Sequence, residues 1–369
     1  MTRVTIDVLQ EVIEQALLQA GLAPEDAKAC ARIHAESTRD GVNSHGLDRI
    51  PRLVDYLARG WVDPNGAFEQ VQKLGALEVY DGHQGLGVRH AMRATKRAIA
   101  LAREHGMGLV AVRNTTHWMR GGTYGWHAVE QGMAAIMWTN TESCMPAWGA
   151  SSESIGNNPL VMAVPGETSP LVLDMAMSQF SYGRLGVLKA QGASLPVAGG
   201  FDEQGALTCD PGVIQATRRI LPTGYWKGSG LAILLDAMAA LLSQGRSTHE
   251  IDRIERGSGT GSSQIFMVFD PEQLGGIDAC RRMVDDMTTH LSQATPYESG
   301  RAVRWPGAST FHRRHHVTMS PRSRSIRTSG RRCSVWPAGC HHASNVSAPP
   351  DRTAMCPGLL TVVFGHVQP

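Results

Sequence analysis

One change of hydrophobic period, near residue 73, constrains the fold of this chain more than any motif. Before it the pattern is helical. Thr5 stands as a cap ahead of an apolar stripe of Leu9, Val12, Ile13, Ala16 and Leu17 that stops at Gly21, and Pro24 opens a second helix reaching about Arg39. Leu47, Ile50, Val54 and Leu57 mark a third, with Pro51 in its first turn and Gly60 at its end. Beyond residue 73, β-like runs at 77–80, 109–112, 134–139, 160–164 and 265–269 alternate with helical patterns at 88–104, 124–131, 228–242 and 278–295. This mixture predicts an α/β (mixed) fold: an N-terminal helical domain over 1–72, then a mixed-sheet region over 73–307 that returns to the helical domain near 296–307. Residues 245–263 are polar and glycine-rich and predict a loop, and no internal repeat is visible.

A nucleotide fingerprint of the Gly-x-Gly-x-x-Gly kind is missing. Gly85-Leu86-Gly87 is followed by His90 and Gly257-Ser258-Gly259 by Ser262, so the fold is expected to be non-Rossmann. The 40 glycines and formal charge of +2 fit a large soluble α/β body. The apolar run 231–242 is shorter than a bilayer crossing and contains Asp236, which predicts a cytoplasmic protein without a membrane partner. Cys30, Cys144, Cys209 and Cys280 lack metal or disulfide spacing and read as reduced thiols.

Two clusters carry chemistry. The stretch from Asn114 to Trp126 gathers His117, Trp118, Arg120 and the Gly121-Gly122 pair into one turn-like segment. Histidine exchanges a proton near neutral pH, arginine grips a carboxylate through two parallel hydrogen bonds, and paired glycines admit a ligand close to backbone. The second cluster is Asn43-Ser44-His45-Gly46, with Arg49 following. Asn43 or Ser44 suits the N-cap of the third helix, which would set His45 at a helix N-terminus with Arg49 one turn beyond. A helix N-terminus lowers an imidazole's proton affinity and attracts anions, as a site for an acidic substrate requires.

These clusters occur with Met145-Pro146-Ala147-Trp148-Gly149-Ala150, Ile155-Gly156-Asn157-Asn158-Pro159-Leu160, Asp174-Met175-Ala176-Met177-Ser178, Phe180-Ser181-Tyr182-Gly183, and the run from Ile220 through Trp226-Lys227 to Gly230. In these segments the chain resembles the malate/L-lactate dehydrogenase type 2 family, from its start to about Gly307. The resemblance implies hydride transfer between a nicotinamide cofactor, NADH with NADPH as the alternative, and a 2-oxo or 2-hydroxy acid. His-Trp-Met-Arg-Gly-Gly points to a sugar-derived 2-oxo acid ahead of malate, ureidoglycolate, sulfolactate or a cyclic imino acid. It further implies that His45 is the general acid and that His117 polarises the carbonyl or replaces His45 as acid. Arg49 and Arg120 are implied to hold the carboxylate. The implied cofactor surface is Pro170, Leu171, Val172, Leu173, Asp174, Met175 and Ala176, with Trp226, Lys227 and Gly307. Asp174 either bonds a ribose hydroxyl or orients His45, and Lys227 meets the pyrophosphate. A homodimer with sites near the subunit interface is implied, and no metal.

From about Ala308 the chain changes character. Residues 308–369 hold eight arginines and Asp351 but no lysine or glutamate, whereas the remainder has twenty-seven basic and thirty-two acidic residues. Helical periodicity is lost, and a disordered, frameshifted tail is expected over 308–369. The tail lacks aromatic interleaving or a recognisable nucleic-acid-binding motif, which argues against a nucleic-acid partner, and Cys333, Cys340, His341, His342 and Cys356 lack close zinc-ligand spacing. A polyanion-binding or inactive protein is the competing expectation. Removing one nucleotide near the codon for Gly307 is expected to restore a Gly-x-Glu segment and helical periodicity. Translation of the gene in every frame checks this, and no frame yielding that segment refutes it.

Overall fold

A computed structural model describes residues 3–256, 258–319 and 325–327. The helices Ile6–Gln19, Pro24–Arg39 and Ile50–Ala58 pack around Leu9, Ile13, Leu17, Ile33, Ile50 and Leu53. Thr5 caps the first of them, accepting the Val8 N–H at 3.3 Å. The expected cap of the third does not form. The chain instead makes two 3-10 turns, Asn43–His45 and Leu47–Arg49, before Ile50, and no side chain caps either. Thr38 organises this crossing: its hydroxyl accepts the Leu47 N–H at 2.9 Å and donates to the His34 carbonyl at 2.9 Å. Gly46 lies so close that a Cβ there would stand 2.2 Å from Thr38 Oγ1.

Seven strands form the central sheet, in the order Glu69–Leu74, Leu77–Asp81, Met107–Thr116, Thr260–Phe269, Ala134–Thr139, Leu160–Val164 and Leu171–Met175. Leu77–Asp81 and Met107–Thr116 run parallel, and the other neighbouring pairs in this sheet are antiparallel. A doubly wound parallel sheet is therefore absent, in agreement with the missing fingerprint. Side-chain alternation sorts the two faces. Val110, Val112, Met137, Val161 and Phe266 pack with the helices Gly87–His105 and Gly122–Glu130, whereas Leu109, Ala111, Trp138 and Ile265 pack with Ala232, Leu235 and Ala239 of Trp226–Ser243.

Four sequence boundaries move. The domain limit at 72 cuts the strand Glu69–Leu74, which pairs with Leu77–Asp81 and belongs to the sheet. The loop expected over 245–263 contains the helix Thr248–Asp252, closed by a Ser247–Glu250 capping box, and the start of the strand at Thr260. The apolar segment 231–242 lies within an 18-residue helix, Trp226–Ser243, long and apolar enough by composition to cross a bilayer. One of its faces is committed to the sheet: Trp138 Nε1 donates to the Leu235 carbonyl at 3.1 Å and Asn158 Nδ2 to that of Ala232 at 2.8 Å. Finally, Ala308–Met319 is helical rather than disordered. Phe311 packs on the main core, and Arg313 and Arg314 reach Asp40 at the end of the second helix, so the return to the helical domain falls after 307. A short strand, Ser325–Arg327, pairs with Arg3–Thr5. The rest of the expected tail, including its cysteines, lies outside the described residues.

Gly108 marks a close approach of helix to sheet. A Cβ on it would stand 2.3 Å from the Ala98 carbonyl oxygen and 2.6 Å from Leu101 Cβ. Gly108→Ala is expected to destabilise the fold by about 1–3 kcal/mol, read as a lower urea midpoint with an unchanged slope, while Gly230→Ala, at an exposed helical position with nothing within 4 Å, is expected to raise stability by about 0.5–1 kcal/mol.

Candidate active site

The crossing at Thr38 and the end of the long strand Met107–Thr116 bring the two sequence clusters together. The rings of His45 and His117 lie 5.5 Å apart, centroid to centroid, tilted by 37°. Met119, at a φ of +65°, turns its N–H back onto His117 Nδ1 at 2.8 Å. That nitrogen is thereby an acceptor, so the neutral ring carries its proton on Nε2. Ser44 Oγ lies 3.1 Å from His45 Nδ1. Gly259 forms a wall against His117, where a Cβ would come within 2.7 Å of His117 Cβ. Both histidines border a cavity of about 250 Å³ that also receives Arg120, Asn140, Asn157, Asp174, Ala176 and Ser181.

Charge in this region is one-sided. Arg49 is half-buried beside Arg52, Tyr56 and His117 in a narrow adjoining cleft, and its guanidinium has no hydrogen-bond or ion-pair partner among the described residues. Burial, and then Arg52, push its pKa down to about 10. His45 is lowered to about 4 by burial and then by Arg49 and Arg120, and His117 is held well below the usual imidazole value by burial and Arg49. Burial, rather than the helix terminus expected from the sequence, leads this effect. Both rings are neutral at pH 7 beside a guanidinium that makes no ion pair among the described residues, Glu142 acting on it only at longer range.

Arg120 is buried and differently placed. Its Nη1 pairs with Asp40 Oδ2 at 2.5 Å, and its Nε lies 3.5 Å from Asp174 Oδ2. Asp174 contacts Arg120 and the Gly122 N–H, not His45; burial raises its pKa although Arg120 opposes this, and 27% of its side chain opens onto the cavity. The remaining segments singled out from the sequence divide. Ala176 joins Asp174 at the cavity. Leu171, Val172, Leu173 and Met175 belong to the edge strand, where Gly307 packs on Val172 and the Val172 N–H donates to the Pro306 carbonyl at 3.1 Å. Pro170 borders a second cavity of about 540 Å³ beside Thr123 and Trp126. Trp226 and Lys227 are exposed at the head of their helix and do not border the cavity that holds the histidines. Asp40 carries no motif of its own in the sequence; only the adjacent segment Gly41 to Gly46 marks its neighbourhood.

The malate/L-lactate dehydrogenase family model matches residues 4–319. The chain belongs to this family and is an oxidoreductase. Its match extends past Gly307 through the helix Ala308–Met319, beyond the limit expected from the sequence. The 2,3-diketo-L-gulonate reductase of Klebsiella pneumoniae is 46% identical over 311 residues, covering 83% of this chain and 91% of the relative. That of Citrobacter koseri is 45% identical over 309 residues, with the same coverage. Among solved structures, sulfolactate dehydrogenase from Methanocaldococcus jannaschii superposes with a TM-score of 0.78 at 27% identity, covering 89% of this chain and 93% of the other. Δ1-Piperideine-2-carboxylate reductase from Pseudomonas syringae gives 0.78 at 26%, covering 89% and 97%.

Four histidines, His34 and His90 buried and His45 and His117 half-buried at the cavity, set a sign for acid stability. His34, His45 and His90 are lowered to about 4 and His117 further, chiefly by burial, whereas in the unfolded chain each titrates near 6.5. The unfolded state then binds more protons, so their contribution is complete above about pH 6.5 and is lost as pH falls towards about 4. Urea unfolding is expected to show stability falling across that window, with His90→Gln flattening the slope; a flat profile from 6.5 to 4 contradicts the burial described.

Proposed function

We propose that this chain reduces 2,3-diketo-L-gulonate to 3-dehydro-L-gulonate, with NADH as the hydride donor, in the cytoplasm and as a homodimer. The observation that carries the chemistry is the Arg49 guanidinium, without an ion-pair partner among the described residues, beside two neutral histidines. A carboxylate satisfies Arg49 through paired charge-assisted hydrogen bonds, and the adjacent 2-oxo group then faces the imidazoles. The substrate itself follows from the relatives at 45–46% identity that carry this name.

The neighbourhood of the strand end suits a nicotinamide. Gly122 approaches Asp174 so closely that a Cβ would stand 2.5 Å from its Oδ2, so only backbone fits on that side of the carboxylate. Asp174, Met175 and Ala176 would hold the cofactor there, with Gly307 supporting the same strand; Trp226 and Lys227 do not border this cavity. When bound, NADH supplies the hydride. His117, with its proton on Nε2, hydrogen-bonds the carbonyl oxygen, and His45 delivers the proton that completes the alcohol. Charge compensation of Arg49 by the substrate raises the proton affinity of both rings, so proton uptake accompanies substrate binding.

His45→Ala is expected to lower kcat by about two to four orders of magnitude while leaving NADH affinity unchanged. Arg49→Lys is expected to raise KM for the 2-oxo acid by about tenfold or more through loss of the planar fork. Undiminished turnover by the His45 variant removes its assigned role, and an unchanged KM in the Arg49 variant removes the clamp.

The homodimer rests on a separate feature. Leu231, Leu234, Met238 and Leu241 recur at helical spacing on the face of Trp226–Ser243 turned away from the sheet, and Leu234 and Leu241 are 63% and 70% exposed. A second copy would cover this stripe. Leu234→Asp combined with Leu241→Asp is expected to shift the sedimentation coefficient from dimer to monomer; an unchanged dimer places the interface elsewhere.

A further inference from the structure

Arg120 reaches the cavity by one end. Its Nη1 is tied to Asp40, its Nε lies beside Asp174, and its Nη2 makes no hydrogen bond among the described residues. A planar guanidinium fixed along one edge presents its remaining N–H groups in a single direction. What fixes that edge is Asp40, and Asp40 is itself held. Arg39 Nε donates to its Oδ1 at 2.9 Å, while Arg314 places Nε at 3.0 Å and Nη2 at 2.9 Å from its Oδ2. Arg313 Nη1 donates to its carbonyl at 2.5 Å. Arg314 is anchored in turn, with its guanidinium 4.4 Å over the Trp126 ring and 2.9 Å from Glu130.

We infer that Asp40 and Arg314 are positioning residues for Arg120: Arg314, from the last described helix, holds the Asp40 carboxylate in the orientation that aims the Arg120 guanidinium into the cavity. This deepens the proposed function and rests on it for the identity of the anion that Arg120 meets. Arg39 pulls on one carboxylate oxygen, while Arg120 and Arg314 share the other. Without Arg314 the carboxylate is free to rotate towards Arg39, and Arg120 loses its fixed edge. The helix Ala308–Met319, whose composition reads as a corrupted tail, is on this account part of the active-site support.

The test uses the full chain with Arg314→Gln, Arg314→Lys and Asp40→Asn. The Arg120 Nε–Hε resonance, assigned by its loss in Arg120→Lys, reports the guanidinium directly in the absence of substrate. Oxamate, an unreactive 2-oxo acid isostere, reports anion binding by calorimetry, and NADH binding serves as the reference. The Arg120 resonance is expected to broaden or shift in Arg314→Gln and Asp40→Asn and to recover in Arg314→Lys, with oxamate affinity falling about tenfold in the first two and NADH affinity unchanged. An unaltered Arg120 resonance in Arg314→Gln overturns the inference, as does a parallel loss of oxamate and NADH binding with a lowered melting temperature. If the resonance responds as expected but the unmodified chain binds no oxamate, the positioning stands and the 2-oxo acid reading fails.

Discussion

A single carboxylate without exposed surface, that of Asp40, faces the guanidinium groups of Arg39, Arg120 and Arg314. Burial alone would raise its pKa, but the arginines outweigh this and hold it below the ordinary value, Arg314 foremost. Removing one partner of such a buried pair typically costs about 3–5 kcal/mol, because the remaining charge is stranded. The arrangement joins three parts of the chain: the end of the second helix, the turn after the long strand, and the helix that follows Gly307. The second helix packs on the N-terminal core and the other two on the main core, and Asp40 ties the two at the edge of the cavity.

That compensation stops short of the cavity's other side. Asp40 and Asp174 flank Arg120, whereas among the described residues no carboxylate pairs with Arg49, and His45 and His117 are driven neutral by burial and by that same charge. A pocket in this state favours an anion that brings its own negative charge, and such an anion in turn raises the proton affinity of the two rings.

Much of the scaffold was legible because burial follows period. The strand Ala134–Thr139 and the helix Gly87–His105 emerge from alternation and from a continuous helical stripe. Glu69–Leu74 escaped because it is an outer strand with almost every side chain exposed, so no hydrophobic alternation marks it. Ala308–Met319 escaped because its docking depends on Phe311 and two arginines rather than an apolar face. The meeting of His45 and His117 was expected only through the family motifs; nothing local joins residues 72 positions apart. The Asp40 contacts, spanning 80 and 274 positions, had no sequence signal of their own. Trp226 and Lys227 are the converse case, carried by resemblance to a place that does not border the cavity.

On the proposed function, hydride and proton are delivered to one carbonyl held between Arg49 and the histidine pair. The most direct test is incubation of the purified chain with 2,3-diketo-L-gulonate and NADH deuterated at the transferable position, followed by mass and NMR analysis of the product. The account predicts one deuterium on C2 of 3-dehydro-L-gulonate for each NADH consumed. Failure to oxidise NADH, or a product whose label lies at a carbon other than C2, would contradict it.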